Sequence, residues 1–303
     1  MKIKAYKPLL IQSEFVYYLF NIQINSTHKS KMKKITLLSS LAVFILISCS
    51  SNDSATTPVT PTVADPQSYF FKYMDYPSDM ALDPNADNII QLIYDSDNKI
   101  TKRVGGYKFL APGAGISTMY SNLYYDDVNY SNNEIHIVRK LNSTIYTTSP
   151  FERILTLDSQ NRIIKKTTFK QQSYPEYDTI NYTYNNLGLI SGSIMGNLNG
   201  YNEIANYYYN QNRNLDSIVT KKQYQNDPFY SKEKQIFSNY DTALNPLGKL
   251  IIFEETFFRA ISQNNYAKYE KYTYNSDNTL INQEIRIWNL HYDNSGNVRF
   301  EQY

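Results

Sequence analysis

The residues able to do chemistry in this chain are few and far apart. There are three histidines and one cysteine in 303 residues. A zinc site needs nitrogen or sulfur ligands that converge. His28 lies near the start, while His136 and His291 sit singly in strand-like sequence, and both read as surface or satisfied neighbours. Asp83, Asn85 and Asp87 alternate as calcium ligands would, but the position where a calcium loop carries its bidentate Glu is Tyr94. Gly113-Ala114-Gly115 follows Pro112 in sequence that reads as a loop, with no strand-then-helix pattern to make a phosphate cradle. Glu254 and Glu255, read as strand, would project to opposite faces and could not act as an acid–base pair across one cleft. No nucleophile elbow is present, and the expectation is a chain without cofactor, metal or catalytic constellation.

Cys49 has a context of its own. Lys31, Lys33 and Lys34 flank Met32, the apolar run from Ile35 to Ile47 follows, and Leu46-Ile47-Ser48-Cys49 closes it. Such a run is too short for a spanning helix and suits the apolar region of a secretory signal. The tetrad resembles the lipobox of bacterial lipoproteins, which implies that Cys49 is lipidated and becomes the first residue of the mature chain. The organisation read from this is 1–31 as an upstream extension ahead of an initiator at Met32, 32–48 as signal peptide and 49–66 as lipid anchor and tether. The tether is Ser/Thr/Pro-rich, as solvated linkers are. Residues 67–303 remain as the folded domain. By the same resemblance, Ser50 after the cysteine favours the outer membrane, on its periplasmic leaflet or at the cell surface.

Removing residues 1–48, which hold seven Lys and one acidic residue, leaves 23 basic and 27 acidic residues. The formal +2 of the full chain therefore belongs to the leader, and the remainder has no basic stripe for nucleic acid. With Cys49 as the single cysteine, the domain must be held by packing and hydrogen-bonded ladders.

The elements that would position any site are set by a seven-residue pattern. It reads aromatic or Leu, then Asp or Asn, two free positions, Asn or Gly, one free position, and Ile, Leu or Val. Six stretches fit: Tyr94–Ile100, Leu157–Ile163, Tyr184–Ile190, Tyr209–Leu215, Tyr274–Leu280 and Tyr292–Val298. The second column (Asp95, Asp158, Asn185, Asn210, Asn275, Asp293) supplies side-chain oxygens that start a turn by accepting a backbone N–H two residues on. The fifth (Asn98, Asn161, Gly188, Asn278, Gly296) tolerates the positive φ that closes a bulged hairpin, and Arg213 is its misfit. Two residues before each turn stand Leu92, Leu155, Tyr182, Tyr207, Tyr272 and Leu290, so alternation puts two large apolar side chains on one face of each incoming strand.

The turns are 63, 27, 25, 65 and 18 residues apart, and the two long gaps contain altered hairpins, at Tyr130–Ile135 and at Tyr240–Pro246. Short loops force antiparallel neighbours, and no segment has the length and period of a crossover helix. The predicted fold is all-β: one antiparallel meander of about fourteen to sixteen strands over residues 89–303, curling into a half-barrel or folded-over layer. Ser68–Tyr73 reads as a first strand, Pro77–Asn88 as loop and Val298–Gln302 as the last strand, with the turn aromatics lining the concave side. The paired tyrosines Tyr182/Tyr184, Tyr207/Tyr209 and Tyr272/Tyr274 would either pack the sheet or form a ladder that stacks sugars or peptides, and the weight falls on packing.

The pattern resembles the YD repeat of bacterial RHS-type proteins, best in Tyr182–Ile190, Tyr272–Leu280 and Leu290–Val298. With the lipobox and tether, the chain looks like the YD-like-repeat lipoproteins of Gram-negative bacteria. That resemblance implies a fold and a location in the envelope. The expected role is a non-enzymatic, lipid-anchored module that binds a protein or glycan, or scaffolds, through its sheet surface. A hydrolase using scattered Asp and Glu on one sheet face, or a glycan-binding lipoprotein with Tyr platforms, is the alternative.

Overall fold

In the computed structural model, which describes residues 64–74, 88–109, 118–142, 144–145, 152–169, 177–197, 200–224 and 230–302, the second and fifth columns of the repeat build the turns. At Asp95, Asp158, Asn185, Asn210 and Asp293, Oδ1 accepts the backbone N–H groups two and four residues on. The fifth column has positive φ throughout, at Asn98, Asn161, Gly188, Arg213, Asn278 and Gly296. The misfit Arg213 therefore adopts the conformation of its neighbours at a cost that Gly or Asn would lower. Cys49 and the rest of residues 1–63 lie outside the described residues, as do Asp83, Asn85 and Asp87, Gly113 to Gly115, and all of the Pro77–Asn88 loop but Asn88.

The strands are β1 (Ser68–Phe70), β2 (Ile89–Tyr94), β3 (Ile100–Phe109), β4 (Thr118–Ser131), β5 (Glu134–Leu141), β6 (Thr144–Ile145), β7 (Glu152–Leu157) and β8 (Ile163–Phe169). They continue as β9 (Tyr177–Tyr184), β10 (Ile190–Asn197), β11 (Tyr201–Tyr209), β12 (Leu215–Tyr224), β13 (Ser231–Tyr240), β14 (Tyr266–Asn275) and β15 (Leu280–Ile287). Every pairing is antiparallel and between sequence neighbours, except that β5 receives both β6 and β7 on its far edge. This is the predicted meander. Two expected strands come out differently. Ser68–Tyr73 is a strand for three residues and then a 3₁₀ turn over Phe71–Tyr73. The C-terminal stretch makes a single bridge, Tyr292 with Val298, because its turn leaves the sheet edge and crosses to β1, where the Phe70 N–H donates to the Phe300 carbonyl.

Between β13 and β14 the chain makes an excursion over residues 241–265, where the sequence suggested a wider turn. It contains 3₁₀ segments Pro246–Ile252 and Glu254–Thr256 and the one-turn helix α1 (Phe257–Ala260). Asn245 caps the first, accepting from the Leu247 N–H, with Pro246 at its first position, where a missing N–H costs nothing. Leu247, Leu250, Ile252 and Phe253 are buried. The excursion packs into the concave face: Ser262 receives the Leu215 N–H, Phe257 lies 5.6 Å from the Tyr182 ring and Phe258 5.5 Å from Phe237. Burying these side chains against the sheet is the main stabilisation available to a two-faced sheet.

The turn aromatics were expected on that concave side. Tyr94, Leu157, Tyr182, Tyr207 and Tyr209 do pack against the core, whereas Tyr184, Tyr272, Tyr274 and Tyr292 do not. Directly opposed residues share a face, and the column runs Tyr182, Ser193, Ala205, Thr220, Glu233, Thr273. Tyr272 and Tyr274 are therefore convex. The reason is geometric. The other repeat turns of the sheet lie at one end of the strands, whereas the excursion occupies that end after β13 and pushes the Tyr274–Leu280 turn to the opposite end. Rotating a hairpin end for end about an axis across the strands exchanges its faces.

The turn tyrosines also tie neighbouring hairpins together. Tyr184 Oη donates to the Ile163 carbonyl and Tyr240 Oη to the Leu215 carbonyl, in each case the first residue of an outgoing strand earlier in the meander. Tyr209 is placed alike, but its buried hydroxyl finds no partner among the described residues. Tyr184→Phe should cost about 1 kcal/mol, because it orphans a backbone carbonyl, whereas Tyr209→Phe should be neutral or stabilising. Chemical denaturation of the two variants checks this through their midpoints.

Candidate functional site

Under the excursion, the concave face carries charge. Ile135, Ile137 and Arg139 alternate inward on β5, as do Tyr124, Asp126 and Val128 on β4, and Arg153 and Leu155 on β7. The ladder sets Arg103 of β3 opposite Asp126 and Asp126 opposite Arg139, with Arg153 one step further along. Asp126 thus meets three guanidinium groups, through Arg103 Nη2 at 3.1 Å, Arg139 Nε at 3.0 Å and Arg153 Nη2 at 2.7 Å. The excursion brings two more acids. Glu255 pairs with Arg103, and Glu254 takes Arg153 Nη1 at 3.0 Å and Lys166 Nζ at 3.2 Å. The Phe253 ring centre lies 4.7 Å from the Arg103 guanidinium carbon.

Glu254 and Glu255 are therefore not strand residues pointing apart. They lie on a 3₁₀ segment, and both reach the arginines. Burial by itself would raise the Asp126 pKa, but Arg139, Arg153 and Arg103 outweigh it and hold the carboxyl far below the usual carboxylate range. Burial and the pair Lys166 and Arg153 act on Glu254 in the same opposed way, with the same result. A general acid or base needs a pKa near the working pH and access to substrate. Asp126 has neither, being 1% exposed. The cluster fastens the excursion to the sheet.

A second fastening is Arg259 of α1. Its Nε donates to the Tyr73 carbonyl at 2.6 Å and its Nη1 to the Tyr266 carbonyl at 2.9 Å. Its guanidinium carbon sits 4.0 Å from the Tyr266 ring centre, 4.7 Å from Trp288 and 5.4 Å from Phe300. The aromatic faces hold the cation in place of a carboxylate. Trp288 Nε1 donates to the Lys72 carbonyl and Tyr73 Oη to the Asn289 carbonyl, so the two ends of the sheet and the excursion meet here.

The other candidates are dispersed. His136 lies on the convex face between Glu134 and Glu152, and no group of ligands suited to a metal occurs among the described residues. Tyr182 and Tyr207 face inward, Tyr182 against Phe257 and Tyr207 with its hydroxyl 3.2 Å from Ser193 Oγ, so they pack the interior. Beyond the excursion the concave face bears alternating charges, with Lys222 between Glu203 and Glu233, and Lys271 3.4 Å from Glu233. On the convex face, Tyr274 stands opposite Lys232, which stands opposite Lys221, and Tyr272 stands opposite Lys234. Lys232 Nζ lies 4.8 Å from the Tyr274 ring centre, and the nearby Glu270 is neutralised by Lys268 at 3.0 Å. Reading the sequence by turns missed the arginine cluster. The signal was present, as a charge standing in the inward column of an otherwise apolar alternation.

No protein-family model and no curated protein matches the chain. Among solved structures it is similar to a porin-like protein from Bacteroides vulgatus ATCC 8482, at 14% identity and a TM-score of 0.43, over 69% of this chain and 84% of that one. A porin-like protein from Bacteroides uniformis ATCC 8492 matches at 10% identity and a TM-score of 0.40, over 69% and 80%.

Removing one partner from a buried ion cluster leaves uncompensated charge and costs about 3–5 kcal/mol. Asp126→Asn should destabilise by that order. Both depressed carboxylates contribute stability that is complete above the ordinary carboxylate pKa of about 4 and is lost as pH falls through the folded values below it. The wild-type melting temperature should accordingly drop below about pH 4, and the Asp126→Asn profile should be flatter there. Thermal melts across an acid series check both.

Proposed function

We propose that this chain is a non-enzymatic, lipid-anchored module of the outer-membrane envelope that binds an acidic glycan on the convex side of β12 to β14. The observation that carries the proposal is the occupied interior. Under the excursion the concave face is packed and pinned at Asp126 and Arg259, and beyond it the concave charges Lys222, Glu203, Glu233 and Lys271 pair with one another, which leaves the outward surface for recognition. On that surface Tyr272 and Tyr274 offer flat faces for sugar rings, with Lys221, Lys232 and Lys234 beside them for carboxylate or phosphate.

The same surface bears on how the protein meets a membrane. The wall of a transmembrane barrel presents an apolar band, and a lysine at its midplane costs about 2–4 kcal/mol. Here the convex face carries Lys102, Asp127, Lys140, His136, Lys232 and Lys268. A sheet of this kind faces water, so attachment has to come from elsewhere in the chain, which suits a lipid on Cys49. The YD-like lipoprotein resemblance agrees with that reading.

Two measurements test it. Cys49→Ala should move the protein from the membrane fraction to the soluble one, and unchanged membrane association would sink the anchor. Calorimetric titration with polygalacturonate should show binding that weakens with salt, with neutral dextran as control. Tyr274→Ala and Lys232→Ala should each weaken it by about tenfold, or 1.4 kcal/mol. Equal binding of wild type and variants would remove the convex patch as the site.

A further inference from the structure

The sheet has two ends. At β1 the outer edge receives the Phe300 carbonyl. At β15, among the described residues, the order of hydrogen-bonded strands stops. The alternation of the ladder shows which backbone groups this leaves open. Trp288 continues β15 and donates its N–H to the Ala267 carbonyl beside β14, so the even-numbered residues face inward along the ladder and Gln283, Ile285 and Ile287 face out. Their side chains stand on the convex side, with Ile285 and Ile287 exposed at 49% and 67%. Natural sheets usually blunt such an edge with lysine, proline or a covering segment. This one carries Ile285 and Ile287.

We infer that β15 pairs with β15 of a second copy of this chain, antiparallel and centred on Ile285. Two-fold symmetry then sets Ile285 against Ile285 and Gln283 against Ile287, which are the residues whose N–H and C=O groups point outward. The even positions fall in register as well. Glu284 comes opposite Arg286 of the other copy, and Arg286 opposite its Glu284. Within one chain Arg286 already holds Glu284, Nε to Oε1 at 2.5 Å, so the interface closes a ring of alternating charges. The concave charges lead to it, since Lys271 stands directly opposite Glu284 and Glu233 contacts Lys271. A partner of uniform charge would oppose one of each pair, whereas a copy of the same strand satisfies both.

Sedimentation velocity on the purified full chain over a concentration series should show a reversible monomer–dimer equilibrium. Ile285→Pro removes an N–H that faces out and leaves the β14 ladder intact, so it should abolish the dimer without loss of the β-sheet circular dichroism signal. Register is tested by cysteine. In a Cys49→Ala background, Glu284→Cys chains mixed with Arg286→Cys chains and then oxidised should give a linked dimer that neither variant forms alone. The directly opposed Cα atoms would be about 4.5 Å apart, within the disulfide range of about 4.4–6.8 Å. A wild type that stays monomeric, a dimer that survives in folded Ile285→Pro, or cross-linking of each variant by itself would overturn the inference. If Ile285→Pro unfolds, the cysteine mixture decides.

Discussion

Three guanidinium groups on the concave face of one sheet need carboxylates, and the strands supply one. Arg103, Arg139 and Arg153 all converge on Asp126, and the shortfall is met by Glu254 and Glu255 from the excursion after β13. Without Glu254 and Glu255 the covered arginines would be left undercompensated, and without Arg103 the excursion would bury Glu255 unpaired. Each makes the other's burial tolerable. Replacing such a cluster with hydrophobic side chains is often neutral or stabilising, so what the charges add here is position. An excursion that slipped along the sheet would leave ions unpaired.

Much of the rest follows from that seating. With Glu254 and Glu255 fixed, α1 is placed so that Arg259 enters the cage of Tyr266, Trp288 and Phe300 and reaches the Tyr73 carbonyl. The first and last described segments are thereby drawn to one point, and the sheet is held curled. The inward tyrosines become packing surfaces for Phe257 and their neighbours. The tyrosines of the β14–β15 hairpin, turned over by the excursion, are left on the outside.

The meander and its turns were legible because they are local. An Asp or Asn with Asn or Gly three residues on specifies a hairpin within seven residues, and short hairpins leave few ways to order the strands. The excursion was not legible. Its first residues, Tyr240 to Pro246, look like a damaged repeat, and Leu250 to Phe253 are apolar enough to pass for a buried strand. Its 3₁₀ form is selected by contacts to strands a hundred residues earlier, such as Arg153 with Glu254, and no local pattern records those. A wider turn of the same repeat after β13 would keep Tyr272 and Tyr274 on the concave side, whereas the excursion turns them out.

On this account the concave face under the excursion is an interior, and recognition belongs to the convex side and the β15 edge. Native-state hydrogen exchange tests that claim most directly. The Phe253 and Thr256 amides, bonded to the Leu250 and Phe253 carbonyls within the excursion, should exchange with the same opening free energy as the central amides of β5 and β7. That result would mean the interior opens when the whole sheet unfolds. Exchange of these amides through a local opening of much lower free energy, with β5 and β7 still protected, would show a face that empties on its own and would contradict the account.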